Sequence, residues 1–227
     1  MAMELDQVVP FGRSLDEYIH LFNLSDRDLQ KSMLGIGDGP ASFNAEGTAK
    51  GYNIHSIDPI YIFSAEQIQQ RVLAVVDGII DQIKATPKDW VWTYHRSPND
   101  LKQHRLQVAA RFCADFETGK AEHRYTPGAL PRLNAEDGQY ELGLCSHFLF
   151  LYSDQFDTDF HLRSIAEMLR VCHEVRIFPL LTLMLHPSPH LQPVLETLTA
   201  QGYRCEIQQV SYELQKGGNQ MLKITRP

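Results

Sequence analysis

A glycine-dense turn and a later acidic residue are the parts of this sequence whose types and spacing point most directly to chemistry. An apolar run, Met33 to Ile36, enters a turn that holds Gly37 and Gly39, and Asp58 closes a second apolar run 21 residues after Gly37. Glycine lets a backbone pass close to a ligand, and one carboxylate can accept hydrogen bonds from both hydroxyls of a ribose. The pattern predicts a strand, a turn, a helix and a second strand that ends in a nucleoside-binding carboxylate.

The spacing of the glycines disfavours a dinucleotide cofactor. A Gly-x-Gly-x-x-Gly fingerprint that starts at Gly37 ends at Ser42, and one that starts at Gly35 has Pro40 in its third place. A nicotinamide-dependent oxidoreductase therefore stays only as a remote alternative.

The end of the chain gives an independent indication of topology. Residues 203–212 and 220–225 are strand-like runs joined through 216–219, which leaves no room for a helix between them. They must form an antiparallel hairpin. A dinucleotide-binding sheet would instead place a helix before its last parallel strand.

The first motif resembles that of the class I S-adenosylmethionine-dependent methyltransferases, which reads apolar-apolar-acid-x-Gly-x-Gly-x-Gly. It is matched by Leu34, Gly35, Gly37, Gly39 and Ala41, where Gly35 replaces the usual acid and Ala41 the last glycine. The resemblance covers nearly the whole chain apart from about residues 85–122. It implies an α/β fold: a Rossmann-like seven-stranded, mostly parallel sheet with a terminal antiparallel hairpin, helices on both faces and a helical insertion between strands 2 and 3.

The resemblance also implies S-adenosylmethionine as cofactor and a set of residues that bind it. Because Gly35 lacks a carboxylate, the contact to the methionine end must come from elsewhere. Arg13 is expected to meet the cofactor carboxylate and Tyr18 to shelter the sulfonium, the alternatives being a surface ion pair and core packing. The full cofactor-binding set comprises Arg13, Tyr18, Gly35, Gly37, Asp38, Gly39, Ala41, Asp58, Pro59, Ala129, Leu130 and Ser146.

The segment at about 85–122 carries both tryptophans of the protein. Trp90, Trp92, Tyr94 and the adjoining His95 are expected to form a lid or an acceptor-site wall made of flat aromatic faces. The alternative is that these side chains only pack the insertion against the sheet. A structureless loop of this length would be implausible in a compact domain, which favours a helical insertion.

His147 is the candidate catalytic residue. It follows Ser146 at the carboxyl end of the predicted fourth strand, where ligands bind in open parallel sheets, and the resemblance places it facing the transferring methyl. Its unperturbed pKa suits a general base, and a histidine that caps a turn is the alternative. The sequence shows no metal-ligand cluster. The family's nucleic-acid amino-methylation motif, Asn/Asp-Pro-Pro-aromatic, is also absent, which indicates a small-molecule acceptor.

Composition bounds the remaining expectations. The 227 residues, 43% of them hydrophobic, suit one methyltransferase-like domain over 1–227. A formal charge of -7 disfavours nucleic acid as a partner, since phosphate contacts demand clustered basic residues. The four cysteines show no Cys-x-x-Cys pair and are expected to be reduced core residues. No run of about 18 apolar residues occurs, so we expect a cytoplasmic protein without a membrane segment, and the oligomeric state stays open.

These observations favour an S-adenosylmethionine-dependent methyltransferase that acts on a small molecule by in-line methyl transfer. The alternative from another class is a non-catalytic regulatory protein that binds S-adenosylmethionine or S-adenosylhomocysteine.

Overall fold

Seven strands form one mixed sheet in the computed structural model, which describes residues 8–226. The strands are β1 (Met33–Ile36), β2 (Ile54–Ile57), β3 (Tyr125–Thr126), β4 (Tyr140–Ser146), β5 (Cys172–Phe178), β6 (Arg204–Gln209) and β7 (Gln220–Thr225). Their order in space is β3-β2-β1-β4-β5-β7-β6. The first five strands are parallel, and β7 is antiparallel to both β5 and β6. The expected sheet and its terminal hairpin are confirmed.

The chain reverses direction across the sheet between β1 and β4. From β1 it moves outward through β2 to β3, and it then returns to place β4 on the other side of β1. In open parallel sheets, ligands bind beyond the carboxyl ends of the strands at such a reversal. The Gly37 turn follows β1 and His147 follows β4, so the topology brings these two sequence features to the same crevice.

Helices cover both faces of the sheet. They are α1 (Leu15–Leu21), α2 (Phe43–Ala49), α3 (Ala65–Ala85), α4 (Pro98–Ala121), α5 (Thr158–Val171) and α6 (Leu191–Ala200). Successive side chains of a strand point to opposite faces, so Met33 joins the core under α1 and α3, while Leu34 and Ile36 join the core under α5 and α6. All four residues of β1 are buried, as expected for a central parallel strand.

Helix α3 begins with the capping box that the sequence indicates. Ser64 accepts from the Gln67 backbone N–H, and the Gln67 side chain accepts from the Ser64 N–H. One face of the helix is apolar and buried, through Ile68, Val72, Val76, Ile79, Ile80 and Ile83. Its 21 residues span about 30 Å at the helical rise per residue. Its buried face packs on the same core as Met33 and Ile54.

The predicted insertion contains one long helix, α4, which packs against α3. Between the two helices the chain makes a short 3₁₀ turn at Pro87–Asp89 and then runs without regular structure to the N-cap Ser97. In this stretch Trp90 forms an isolated antiparallel bridge with Gln215. That residues 1–227 form one domain with a movable segment stays a prediction.

A buried ionic cluster centred on Glu17 joins α1 to α4. Both nitrogens of the Arg105 guanidinium fork donate to the Glu17 carboxylate at 2.7 Å. His104 lies 3.1 Å and His95 3.4 Å from the same carboxylate, and the Tyr212 hydroxyl donates to it at 3.1 Å. Burial by itself would raise the pKa of Glu17, but the Arg105 charge and the hydrogen bonds hold it well below its usual range. Glu17 is therefore a buried carboxylate anion.

Glu17→Gln should destabilise the protein by about 3–5 kcal/mol, because it leaves the Arg105 charge buried without its partner. Urea denaturation at neutral pH measures this. Asp137→Asn is the matched control, since Asp137 pairs with Arg170 but its side chain is 81% exposed, and it should cost less than about 1 kcal/mol. A loss in Glu17→Gln as small as that of the control would show that the cluster does not hold the helices together.

Candidate functional site

The turn after β1 has the backbone conformation that requires glycine. Gly37 and Gly39 have φ angles of 69° and 55°, in the left-handed region that side chains disfavour. A Cβ built on Gly39 would have no neighbour within 4 Å, so the space beside this residue is open. The Gly39 N–H donates to Asp58 at 2.8 Å, which connects the turn to the end of β2.

Asp38 supplies the carboxylate that the motif lacks at Gly35. A Cβ on Gly35 would lie 1.8 Å from Asp38 Oδ2, so the Asp38 carboxyl group fills the space of the missing side chain. The Tyr18 hydroxyl donates to Asp38 Oδ1 at 2.6 Å and the Ser56 hydroxyl to Oδ2 at 2.7 Å. A carboxylate is thus present three residues further along the chain than the motif places it, and its hydrogen bonds tie the end of β1 to α1 and β2.

Asp58 lies at the end of β2 with a backbone donor on each carboxylate oxygen. Oδ2 accepts from Gly39 and Oδ1 from Ile60, both at 2.8 Å. A carboxylate offers about four acceptor positions, so two remain for a ligand. Burial raises the pKa of Asp58 to about 6, although the two backbone hydrogen bonds act to lower it. Burial and the nearby charge of Asp58 raise the pKa of Asp38 to about 7. A ligand that donates hydrogen bonds would stabilise the ionised form of both carboxyl groups.

A cavity of about 720 Å³ extends over these groups. Ten of the twelve predicted cofactor-binding residues line it, and so does His147. Gly35 lies inside β1 under Asp38, and Ala41 is 3% exposed in the core, so these two do not line the cavity. The residues that do are Arg13, Tyr18, Gly37, Asp38, Gly39, Asp58, Pro59, Ala129, Leu130 and Ser146.

The segment before α1 crosses directly over the glycine turn. A Cβ on Gly12 would lie 2.2 Å from the Pro40 carbonyl oxygen, so only glycine fits between the two backbones. Tyr18 is buried and stacks on Phe43, with ring centroids 4.0 Å apart. Sequence reasoning missed Gly12, because a glycine in an irregular segment gives no sign of what it packs against.

His147 lines the large cavity. Its φ of 53° is strained for a non-glycine residue, and its N–H donates to the Phe178 carbonyl at 2.6 Å. Nδ1 and the Ser146 hydroxyl oxygen are 2.9 Å apart, while Nε2 has no hydrogen bond to the described residues. Burial and the charges of Arg13 and Arg105 lower the pKa of His147 well below its ordinary value, so the imidazole is neutral at neutral pH.

His147 also lines a smaller chamber of about 60 Å³. Val9, Phe11, Arg13 and His147 line both cavities and so form the boundary between them. We call these four residues the neck between the large cavity and the chamber. The other walls of the chamber are mainly apolar and aromatic, with Trp90, Phe178 and Tyr212 among them.

Of the predicted aromatic segment, only Trp90 lines either of these two cavities, and its indole N–H donates to Thr86. Trp92 packs on the core, the Tyr94 hydroxyl donates to Asp16, and His95 lies beside Glu17. That these residues form a lid stays a prediction.

Helix α3 contributes residues to the walls of both cavities. Ala74 and Val75 line the large cavity, and Ile79 and Ile83 line the chamber. In the sequence, Val75, Ile79 and Ile83 have the spacing of one apolar helical face. This spacing does not reveal that they line cavities, since it is the same for a helix that packs only on the sheet.

Over residues 8–226, no group of three or more His, Cys, Asp or Glu side chains is arranged to hold a metal ion. Within the same residues, no helix has the length and apolar character to cross a membrane. Cys113, Cys145, Cys172 and Cys205 are free thiols.

A curated relative covers almost the whole chain. It is an uncharacterized protein, MJ0045, of Methanocaldococcus jannaschii, 33% identical over 225 residues that span 99% of each chain. The chain belongs to the family of this protein. No family model matches the sequence.

Solved structures similar to this chain include two methyltransferases. One is magnesium protoporphyrin IX methyltransferase from Synechocystis PCC 6803, 12% identical, with 94% of this chain and 78% of that chain covered and a TM-score of 0.46. The other is a putative S-adenosyl-L-methionine-dependent methyltransferase from Methanococcus maripaludis, 12% identical, with 93% and 83% covered and a TM-score of 0.47. The strand order and register described above define the fold independently of these similarities.

Gly35→Ala should be rescued in part by Asp38→Ala. The first change places a Cβ against the Asp38 carboxylate and should cost about 1–3 kcal/mol. The double variant should be more stable than the sum of the single changes by about 1 kcal/mol or more, as measured by urea denaturation in a double-mutant cycle.

Gly78→Ala is the control for these variants, because a Cβ at this helical position meets nothing within 4 Å. It should leave stability unchanged or raise it by up to about 1 kcal/mol. Strict additivity of the Gly35 and Asp38 changes would mean that Asp38 does not occupy the space beside Gly35.

Proposed function

We propose that this protein binds S-adenosylmethionine in the large cavity and transfers its methyl group to a small-molecule acceptor. The observation that carries the proposal is the pairing of Gly39 with Asp58. The open space beside a left-handed glycine adjoins a carboxylate that keeps free acceptor positions on both oxygens. A nucleoside with a vicinal diol fits this arrangement, because its hydroxyls donate and the glycine leaves room for its sugar.

The remaining lining residues support the rest of the cofactor. Ala129, Leu130 and Pro59 offer apolar surface for an adenine ring. Tyr18 and Asp38 lie at the turn after β1 and suit the methionine end, where a carboxylate can accept from an ammonium group. The space beside Gly39 is open and a Cβ there would fill it, so a glycine at this position fits the cofactor.

When bound, S-adenosylmethionine supplies an electrophilic methyl group on a positively charged sulfur. The work of the protein is then to align the acceptor and to exclude water, and such positioning can contribute about 7–11 kcal/mol. Helix α3 covers the site, and the Val9, Phe11, Arg13 and His147 neck separates the cofactor side from the chamber.

His147 is positioned to take a proton from the acceptor. If Nδ1–H donates to the Ser146 hydroxyl, Nε2 keeps a free lone pair at the neck. Nε2 would take the proton of an acceptor O–H or N–H and become an imidazolium, while the methyl carbon exchanges its bond to sulfur for one to the acceptor and a neutral thioether is left. The lowered pKa of His147 keeps it unprotonated, so this base is available at neutral pH.

Asp58→Ala should weaken binding of S-adenosylhomocysteine by about 2–3 kcal/mol, because two charge-assisted hydrogen bonds are lost. Isothermal titration calorimetry measures this, with folding of the variant checked by circular dichroism. Asp26→Ala, at an exposed carboxylate, is the control and should bind like the natural protein. Absence of binding to the natural protein, or unchanged affinity in folded Asp58→Ala, would overturn the proposal.

Transfer itself is tested with radiolabelled S-adenosylmethionine and a metabolite extract. Label appearing in a small molecule supports a methyltransferase. Tight binding of S-adenosylhomocysteine without any transfer across extracts would instead support a regulatory binding protein.

Affinity for S-adenosylhomocysteine should fall as the pH is lowered through about 6. The pKa of Asp58 is raised to about 6 in the free protein, and hydroxyl donors favour its ionised form, so protonation competes with binding. The decline approaches a factor of about 10 per pH unit well below that value. Titration calorimetry from pH 8 to pH 5 measures it, and an equal decline in Asp58→Ala would contradict the assignment.

A further inference from the structure

Arg13 is a partly buried cation without a counter-ion among the described residues. One of its terminal nitrogens donates to the Phe11 carbonyl, and its Nε is buried without any hydrogen-bond partner. No carboxylate of residues 8–226 lies within ion-pairing distance of it. Withdrawing a charged donor from water without a partner is costly. A ligand that brings the missing negative charge would remove the cost.

Glu17 does not supply that charge. Its two oxygens are already bound by Arg105, and it forms no ion pair with Arg13. Burial and the Arg105 charge lower the pKa of Arg13 to about 10, a direction that shows the surroundings disfavour its positive charge. Among the described residues, Arg13 therefore keeps a positive charge without a paired carboxylate.

The free edge of the Arg13 guanidinium has the shape of an oxyanion site. Nε and Nη2 form the side-on pair of donors, and neither has a hydrogen-bond partner among the described residues. Two parallel N–H groups match the two oxygens of a carboxylate. Arg13 lines the neck and the chamber behind it as well as the large cavity.

The chamber side is the better place for the anion. On the other side of the neck the large cavity is lined by the carboxyl groups of Asp38 and Asp58, which would repel a second negative group placed near them. The chamber wall carries Tyr152 and Tyr212 but no acidic side chain. Among the described residues, an anion held there by Arg13 meets neutral side chains, which are mainly apolar and aromatic and include Gln215.

The size of the chamber limits the apolar part of such a ligand. Its volume of about 60 Å³ holds roughly four to six water-sized spheres. That suits a branched chain of a few carbons or a single small ring. Aromatic and aliphatic walls from Trp90, Phe178 and Leu214 would surround it.

We propose that the methyl acceptor is a small carboxylate with a compact apolar body, which occupies the chamber while its carboxylate binds Nε and Nη2 of Arg13. Only the identification of this carboxylate as the methyl acceptor rests on the proposed function. The anion site at Arg13 does not depend on it. The proposal assigns Arg13 to the acceptor, where the motif resemblance implies the carboxylate of the cofactor.

Calorimetry with matched acids and amides tests the proposal. Isovalerate and benzoate are titrated into the natural protein beside isovaleramide and benzamide, with and without saturating S-adenosylhomocysteine. At least one acid should bind about tenfold or more tightly than its amide, and S-adenosylhomocysteine should not displace it. Arg13→Gln should abolish the preference for the acid, and Arg13→Lys should retain part of it, because lysine keeps the charge but lacks the planar fork.

Arg71→Gln is the matched control, since Arg71 lines the mouth of the large cavity and lies 3.9 Å from the Phe63 ring centroid. It should keep the acid preference, which excludes general attraction of anions. If acids and amides bind alike, or no acid binds, the proposal is wrong. It is also wrong if S-adenosylhomocysteine displaces the acid and Arg13→Gln weakens S-adenosylhomocysteine tenfold, because Arg13 then serves the cofactor.

The two proposals fail in different ways. Lack of S-adenosylhomocysteine binding by the natural protein overturns the proposed function, while the acid and amide titrations still report on Arg13. Competition in the natural protein decides the Arg13 assignment even if Arg13→Gln does not fold.

Discussion

The buried ion pair between Glu17 and Arg105 fixes the parts of the chain that surround the site. Through this contact, α1 is held to α4, and the Tyr212 hydroxyl brings the segment between β6 and β7 to the same carboxylate. These segments are far apart in sequence, so a large loss of chain entropy must be offset where they meet. With α1 fixed, Gly12 can lie on Pro40 and Tyr18 can reach Asp38. The ionic cluster at Glu17 therefore positions the segment before α1 and Tyr18, which lie at the cavity.

The carboxyl groups of the large cavity reduce the stability of the empty protein. Burial raises the folded-state pKa of Asp38 to about 7 and of Asp58 to about 6, so the folded chain binds protons more tightly than the unfolded chain. The contribution of these two groups to folding stability therefore decreases as the pH rises from about 4 to about 7. Titratable groups whose pKa values burial shifts in this way are found more often at functional sites, which supports the proposed ligand.

Local signals carried most of the fold prediction. The buried run of β1 and the short connection between the last two strands each depend on neighbouring residues, and the structure confirms both. The geometry of the site depended on contacts between distant segments. The space at Gly35 is filled by Asp38 only because the turn folds back on itself. Likewise, α3 lines both cavities as well as packing on the core, which periodicity alone does not reveal.

His147 lies between the carboxyl groups of the large cavity and the guanidinium groups of Arg13 and Arg105. Asp38 and Asp58 line the large cavity, while burial and then the charges of Arg13 and Arg105 lower the pKa of His147. An imidazole held so far below its ordinary pKa is a weak base, and a general base works best with a pKa near the operating pH. A carboxylate bound to Arg13 would cancel one of the charges that lower it, which would raise the pKa of His147 toward neutrality. The acceptor that the chamber fits would then strengthen the base that it needs, whereas a neutral molecule in the same place would leave His147 weak.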